Sequence, residues 1–475
     1  MRDRRSYFTC FPSVVCVGRR TTVSIVPRDN SRRFHAEKEY EVCIFGIEED
    51  QISYHPPLVY DYPYEIREGC LCFTKAFEEE QEYEIRFHEK GVKKDEVIPL
   101  YAVEEDLHAL RPLKGDFHAH TYYSDGKDGI TMTPADYREE GFDFCTVTDH
   151  NRRYTSVLAS ELYDGVKLGM TILPGEELHT PGTSLHIVHV GGTGSVADRY
   201  VNHNEEFLSE TESLEKRLSE IPEPYRRRFA LAAWTCGKIR DMEGLSILAH
   251  PFWKPRKYNV NKEFGDLLFD ARLFDALELF GGIPDLNCNL QLGLWQQQLV
   301  KGNFIPVVAS SDSHDHNATV EYFARRFTLV FAKDNTASSI TDAVRRGRCV
   351  AGFLPRGDAA TGIVPYSEGS VQFYSTDFRL VKLAHFLYRS YFAETRRICL
   401  TEGVLMRRYA EGEEVGELLS SLGDSVENFY RRYYGFAPAP TVSGRVADFL
   451  DKALEQQRKG PTTKGTSIVG NSRRE

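Results

Sequence analysis

The chain lacks any surplus of positive charge: 59 Lys and Arg against 70 Asp and Glu leave −11 over 475 residues. A general nucleic-acid or anionic-membrane surface needs clustered basic side chains to neutralise phosphates, so neither polymer nor membrane is an expected partner. No run approaches the roughly 20 apolar residues of a membrane span. The ten cysteines, spread from Cys10 to Cys399, include no Cys-x-x-Cys pair. Together with the absence of a convincing export signal, this predicts reduced thiols and a cytoplasmic protein. Tyr7 to Gly18 is apolar and follows arginines, but Pro12 and the Arg19-Arg20 before a strand-like stretch weigh against a signal peptide. There is no internal repeat. Gly191-Gly-Thr-Gly194 has no following Gly-Lys-Thr and reads as a turn rather than a phosphate loop.

What is present is enough apolar residue for a large core, 41% of the chain, over a length that predicts two or three domains. Residues 1–110 alternate in the strand manner at Thr22–Val26, Tyr40–Phe45, Cys70–Phe73, Tyr83–Phe87 and Ile98–Tyr101, which predicts a small β-sandwich. Cys70 and Cys72 would share one face of their strand. Across 111–358 the pattern becomes α/β, with buried strands at Phe142–Thr148, Thr171–Leu173, His186–Val190, Leu245–Ala249, Ala276–Phe280 and Ile305–Ala309. Helical stretches lie between them at Pro134–Glu140, Glu205–Ile221 and Tyr225–Glu243. A TIM-like barrel with its site at the carboxyl ends of the strands is the economical architecture. Residues 359–457 read as a mainly helical extension, with amphipathic Asp377–Phe392, Gly416–Tyr434 and Gly444–Gln457; 458–475 reads as a disordered tail.

Ten of the fifteen histidines fall between residues 116 and 316. They gather at strand ends: Asp116-Phe-His-Ala-His120, Thr148-Asp-His150, Gly175-Glu-Glu177, Leu248-Ala-His250-Pro and Ser311-Asp-Ser-His314. His118 and His120 are two apart and share a face. The turn after them adds Asp125, a hard oxygen ligand. Asp149 is placed to orient the His150 imidazole. Glu177 follows a Pro-Gly turn and can bridge two cations, whereas Glu176 should point to the opposite face. His186 and His189 are three apart, so one of them faces the site, and alternation favours His186. Asp312 and His314 close the series. Any one of these could be structural, but ligand types at five successive strand ends point to a hydrolytic multi-metal site.

The series His-x-His, Ser-Asp-Gly, Thr-Asp-His, Pro-Gly-x-Glu, His, Ala-His-Pro and Ser-Asp-x-His resembles the PHP (polymerase and histidinol phosphatase) superfamily from Lys114 to Phe353. Leu113-Lys-Gly-Asp-Phe-His-Ala-His-Thr, Thr148-Asp-His-Asn and Leu173-Pro-Gly-Glu-Glu resemble its carbaryl-hydrolase branch, as does the all-β segment ahead of them. The resemblance implies a distorted (β/α)7 barrel holding three divalent cations: zinc, manganese or iron. It implies one cation on His118, His120, Glu177 and Asp312, a second on Glu177, His186 and His250, and a third on Asp125, His150 and His314.

A metal-bridging hydroxide would then be the nucleophile. Asp312, His314 and His203 are candidates for protonating the leaving group. Arg152, Arg153, Lys254, Arg256 and Lys257 follow ligand segments and would rim the mouth, binding a phosphate or carboxylate or standing as solvated charge. The favoured reading is a phosphoesterase acting on a small phosphorylated metabolite or nucleotide. Hydrolysis of a carbamate, ester or amide is the alternative, and a non-catalytic scaffold is the third.

Overall fold

The computed structural model describes residues 7–29, 32–48, 58–316, 323–355 and 371–440. The helix expected over 444–457 and the tail expected over 458–475 lie outside the described residues.

Eight strands precede the ligand-bearing region: β1 (Phe8–Phe11), β2 (Val14–Cys16), β3 (Thr21–Pro27), β4 (Tyr40–Gly46), β5 (Glu65–Arg67), β6 (Cys70–Lys75), β7 (Glu82–Glu89) and β8 (Glu96–Val103). They form two four-stranded sheets, ordered β1-β3-β6-β5 and β2-β8-β7-β4. Alternation explains the packing: in β7 every second residue, Tyr83, Ile85 and Phe87, is buried in the core between the sheets. The apolar Tyr7–Gly18 stretch supplies β1 and β2. All ten cysteines are buried and none forms a disulfide.

The following strands are β9 (Arg111–Asp116), β10 (Phe144–Thr146), β11 (Thr171–Leu173), β12 (Gly175–Leu178), β13 (His186–Gly191), β14 (Gly244–Ala249), β15 (Ala276–Phe280), β16 (Val307–Ala309), β17 (Arg326–Ala332), β18 (Cys349–Phe353) and β19 (Gln372–Tyr374). They build a six-stranded sheet, β11-β10-β9-β17-β18-β19, and a five-stranded sheet, β12-β13-β14-β15-β16. This corrects the expected (β/α)7 barrel: among the described residues the ladders do not close into a ring. They also mix directions, since β12, β13 and β14 pair antiparallel and β17 runs antiparallel to β9.

The break falls where β11 gives way to β12 at Pro174, a residue with no N–H for a ladder. At the ligand-bearing end the two sheets meet through single bridges, Ala119 with Ser313 and His150 with Glu177, and through backbone hydrogen bonds such as Asp312 N to His118 O at 2.9 Å. Between the sheets lies a core of Phe117, Phe144, Leu173, Val188, Ile247, Val308 and Val330, among others. Burying each such side chain contributes about 1.5–3 kcal/mol.

The expected helix over Asp377–Phe392 is two helices, Phe378–Arg389 and Tyr391–Ala410, divided at Ser390; Gly416–Tyr433 follows. These helices are not an appendage. Phe386, Tyr391, Ile398, Leu422 and Phe429 share one core with Phe11, Val14 and Tyr101 of the sandwich and with Tyr137 and Phe142 beside β10. Within it, the fully buried Arg138 donates to Glu402 Oε2 at 2.8 Å and to Asp143 Oδ1 at 3.0 Å, tying the Tyr391–Ala410 helix to the ligand-bearing region. Arg379, Lys382 and Arg389 bond Glu80, Glu48 and Glu82 of the sandwich. Among the described residues, no helix is long and apolar enough to cross a membrane.

Candidate metal centre

Glu177, on β12, is buried at the meeting of the two sheets, with six imidazoles around its carboxylate. Oε1 lies 2.9 Å from His186 Nδ1 and 3.1 Å from His250 Nε2. Oε2 lies 2.8 Å from His150 Nδ1, 3.3 Å from His120 Nε2, 3.4 Å from His118 Nε2 and 3.5 Å from His179 Nε2. Asp312 Oδ1 completes the inner group, 2.9 Å from His120 Nε2 and 3.2 Å from His118 Nε2. Towards solvent, Asp125 faces His150 at 3.2 Å and His314 at 3.3 Å.

Neighbouring groups dictate which nitrogens are free. His118 Nδ1 donates to Glu278 Oε1 at 3.0 Å, leaving the Nε2 lone pair facing the cluster. Glu278 Oε2 also accepts from His250 N at 2.9 Å, so one buried carboxylate sets both histidines. Ser124 donates to Asp149 Oδ1 at 2.6 Å; its oxygen therefore accepts from His120 Nδ1 at 3.3 Å, and His120 Nε2 also turns inward. His314 Nδ1 donates to the Asp312 carbonyl at 2.8 Å, turning Nε2 towards Asp125.

The consequence is that His118 Nε2 and His120 Nε2 stand 3.1 Å apart. Two facing lone pairs repel unless a cation or a proton lies between them. His150 Nδ1, His179 Nε2, His186 Nδ1 and Glu177 Oε2 are likewise buried without an aligned hydrogen bond despite their close approach. Convergence without hydrogen-bond alignment, in a set of imidazoles and carboxylates, fits divalent cations.

The electrostatics agree. Burial opposes protonation of His118, but Asp312, Glu177 and Glu278 outweigh it and hold its pKa well above the usual imidazole value. His120 is likewise pushed up to about 9, burial being overcome by Asp312 and Glu177. Burial disfavours the Glu177 and Asp312 anions, yet the surrounding imidazoles hold both carboxyls well below the ordinary range. For His186 burial wins and its pKa falls. Backbone strain gathers here too: His250 (φ 23°), Asp312 (φ 50°) and Asn151 (φ 56°) occupy left-handed conformations.

The structure thus brings together His118, His120, Asp125, His150, Glu177, His186, His250, Asp312 and His314. Mutually close donor atoms form the groups His118/Glu177/His250/Asp312 and His120/Asp125/His150/His314. These groups cut across the partition that the resemblance implies: His250 falls with the first group, and His120 falls with the outer one while keeping Nε2 2.9 Å from Asp312 Oδ1 in the inner. His189 faces away, 3.1 Å from Glu176, whose oxygens also accept from Ser195 Oγ and Val196 N at 2.7 Å each.

Other expectations are corrected. Asp149 does not touch the His150 ring; it accepts from Thr121 N, Thr121 Oγ1 and Ser124 Oγ and so fixes the turn beneath His120. His203 is not brought to the cluster: it precedes the helix Asn204–Arg217, half exposed, with Asp198 at 3.7 Å. Arg153 donates to Gly192 O at 2.6 Å, bracing the Gly191–Gly194 turn instead of rimming the mouth. Arg152, Lys254, Arg256 and Lys257 are exposed, and Lys254 lies over the Tyr258 ring.

Two residues had not been assigned from sequence. Glu278 is the one charge in the apolar strand Ala276-Leu-Glu-Leu-Phe280, and its signal was the Gly281-Gly282 that follows. A Cβ at Gly281 would fall 2.1 Å from Glu278 Oε2, and one at Gly282 2.4 Å from Asp312 Oδ2. His179, two residues beyond Glu177, is the other. A separate group, Asp128, Asp136 and His316, includes Asp136 already paired with Arg407.

No family model matches the chain, and no curated protein matches it. Among solved structures, it is similar to a two-domain protein from Bacteroides vulgatus described as containing a predicted PHP-like metal-dependent phosphoesterase, with 20% identity over 56% of this chain and 75% of that one and a TM-score of 0.36. A protein from Bifidobacterium adolescentis, provisionally described as a metal-dependent phosphoesterase, has 18% identity over 43% and 89% of the two chains, with a TM-score of 0.31. An amidohydrolase from Chromobacterium violaceum, with bound sulfate and no metal, has 17% identity over 42% and 87%, with a TM-score of 0.29.

Proposed function

We propose that the chain is a metal-dependent hydrolase of the PHP type, with more than one divalent cation at the Glu177 cluster and a small phosphorylated molecule as substrate. The observation that carries this reading is the convergence of six imidazoles on one buried carboxylate. Cations held there would supply Lewis-acid charge and a water activated at neutral pH.

The chain's own residues do the positioning. Glu278 presents His118 and the His250 backbone, and Ser124 and Asp149 present His120. Burial raises the Asp312 carboxyl, but His118, His120 and His250 hold it well below the ordinary range, which suits a ligand. His314, a third exposed at the outer edge, turns Nε2 to Asp125 and would hold an outer cation with Asp125 and His150. No Lys or Arg pairs with Glu177, Asp312 or Asp125 among the described residues, so phosphate charge is to be met by the cations, with Arg152 and the Lys254–Lys257 loop outside.

A specific feature keeps the carbamate, ester or amide reading as second: Trp253, 40% exposed, lies 5.4 Å from the His186 ring and offers an aryl group a face beside the site. The test is a panel on metal-reconstituted protein. Chelator-sensitive release of phosphate from an aryl phosphate is expected. Turnover of an aryl carbamate alone would put the second reading in its place, and inactivity with zinc, manganese and iron alike would contradict both.

A further inference from the structure

His179 lies outside the nine residues that the sequence pattern assigns, yet its surroundings are those of a ligand. It stands two residues beyond Glu177, and side chains two apart on an extended segment point to the same face. Its ring is sandwiched between two assigned histidines, with centroids 3.8 Å from His186 and 4.0 Å from His150. The ring is 34% exposed, but its Nε2 is sealed from solvent, has no hydrogen-bond partner and lies 3.5 Å from Glu177 Oε2.

The backbone there is pinned. His179 N donates to Asn151 Oδ1 at 2.9 Å, Tyr200 OH donates to the same oxygen at 2.6 Å, and Asn151 N donates to Glu177 O at 2.9 Å. Asn151 adopts φ 56° to make this link, so a strained residue joins the His150 turn to the Glu177–His179 segment.

The two nitrogens of His150 face different groups: Nδ1 towards Glu177 at 2.8 Å and Nε2 towards Asp125 at 3.2 Å. A neutral imidazole has one lone pair and can serve only one of them. If His150 serves the outer group with Asp125 and His314, the Glu177 Oε2 side keeps His120 Nε2 and His118 Nε2, at 3.3 and 3.4 Å and shared with Asp312 Oδ1, but loses its closest nitrogen donor. His179 Nε2 is the atom placed to provide it; His150 Nδ1, Glu177 Oε2 and His179 Nε2 already form one mutually close set.

We infer that His179 is a tenth metal ligand, holding through Nε2 the cation that Glu177 Oε2 faces and freeing His150 for the outer cation. This rests on the multi-cation reading of the site. It raises the donor set to seven imidazoles (His118, His120, His150, His179, His186, His250, His314) against three carboxylates (Asp125, Glu177, Asp312). A set so rich in nitrogen selects zinc, iron or another late transition metal over magnesium or calcium.

The test uses the full chain titrated with Co(II) in competition with a chromophoric chelator, with elemental analysis of the zinc-loaded form. His179→Phe keeps an aromatic ring against His186 and removes the donor, while His179→Asn is too short to reach. Both variants are expected to fold metal-free with an unchanged Tm, to lose at least about tenfold in affinity for one cation, the lower end of what even an outer partner of a ligand contributes, and to gain less in Tm on zinc addition. His203→Ala, outside the cluster, should match the wild type. Wild-type stoichiometry and affinity in both His179 variants would overturn the inference while leaving the site reading intact. A wild-type chain that binds no Co(II) or zinc would overturn both.

Discussion

Glu176 and Glu177 are neighbours on β12, and His186 and His189 share β13, yet the two faces of this one hairpin hold opposite kinds of site. On one face Glu176 accepts three hydrogen bonds, from His189, Ser195 and Val196. On the other, Glu177 is approached by six imidazoles, with Oε2 left unbonded. Residue type and burial are the same, so neither distinguishes structural charge from metal-binding charge. What separates them is hydrogen-bond alignment: both oxygens of Glu176 accept aligned bonds, whereas Glu177 accepts one, at Oε1 from His250 Nε2, and its Oε2 stands among imidazoles with none. Glu402, which accepts from Arg138 Nε and from Gly169 N deep in the helical core, belongs with the satisfied kind.

The largest break in this comparison should come from Glu177→Gln. Sharing about 10–16 kcal/mol of zinc-binding free energy among four ligands gives roughly 3 kcal/mol per donor, or about a hundredfold in affinity for each cation the residue serves. Chelator competition should show weakened binding of more than one cation and activity lost to background, while Glu176→Gln leaves metal affinity unchanged. In the satisfied class, Glu402→Gln leaves Arg138 short of a partner and should lower stability by about 3–5 kcal/mol in chemical denaturation, without altering metal content. Glu278→Gln sharpens the contrast from within the cluster: it weakens the hold on His118 without removing a ligand, and should cost about 10–100-fold in metal affinity or activity.

The smallest effect is on pH. The folded pKa of His120 is raised above the unfolded value of 6.5 to about 9, because Asp312 and Glu177 outweigh its burial. Its protonated form therefore stabilises the metal-free protein fully below pH 6.5, and this contribution is lost as pH rises through about 9. Cation binding needs the lone pair, so zinc affinity should strengthen across the same window. Melting curves and zinc titrations at several pH values should move in opposite directions; parallel movement would count against the cluster's electrostatics.

Alternation made much of this legible in the sequence. The period of two separated Glu177 from Glu176 and favoured His186 over His189, and strand-end placement located His118, His120, His250 and Asp312. His179 obeys the same period but lies one residue past the end of β12, where no strand signal marks it. Glu278 was hidden inside an apolar run, where its partner, the Nδ1 of His118, is 160 positions away in sequence and can be found only in three dimensions. His203 looked chemically suitable but sits at a helix start facing Asp198. The barrel expectation failed because apolar runs reveal strands but not their directions, and Pro174 divides one expected strand end between two sheets. The helices after residue 377 were read as an extension, since nothing local shows that they share a core with the sandwich.

Occupancy of the imidazoles and carboxylates around Glu177 by several cations is what the proposed function requires. It is tested most directly by elemental analysis of the purified chain after reconstitution with zinc, manganese or iron and removal of free metal. More than one divalent cation per folded chain is predicted, falling in Glu177→Gln and unchanged in Glu176→Gln. One cation or none, in a chain whose circular dichroism shows it folded, would contradict the account.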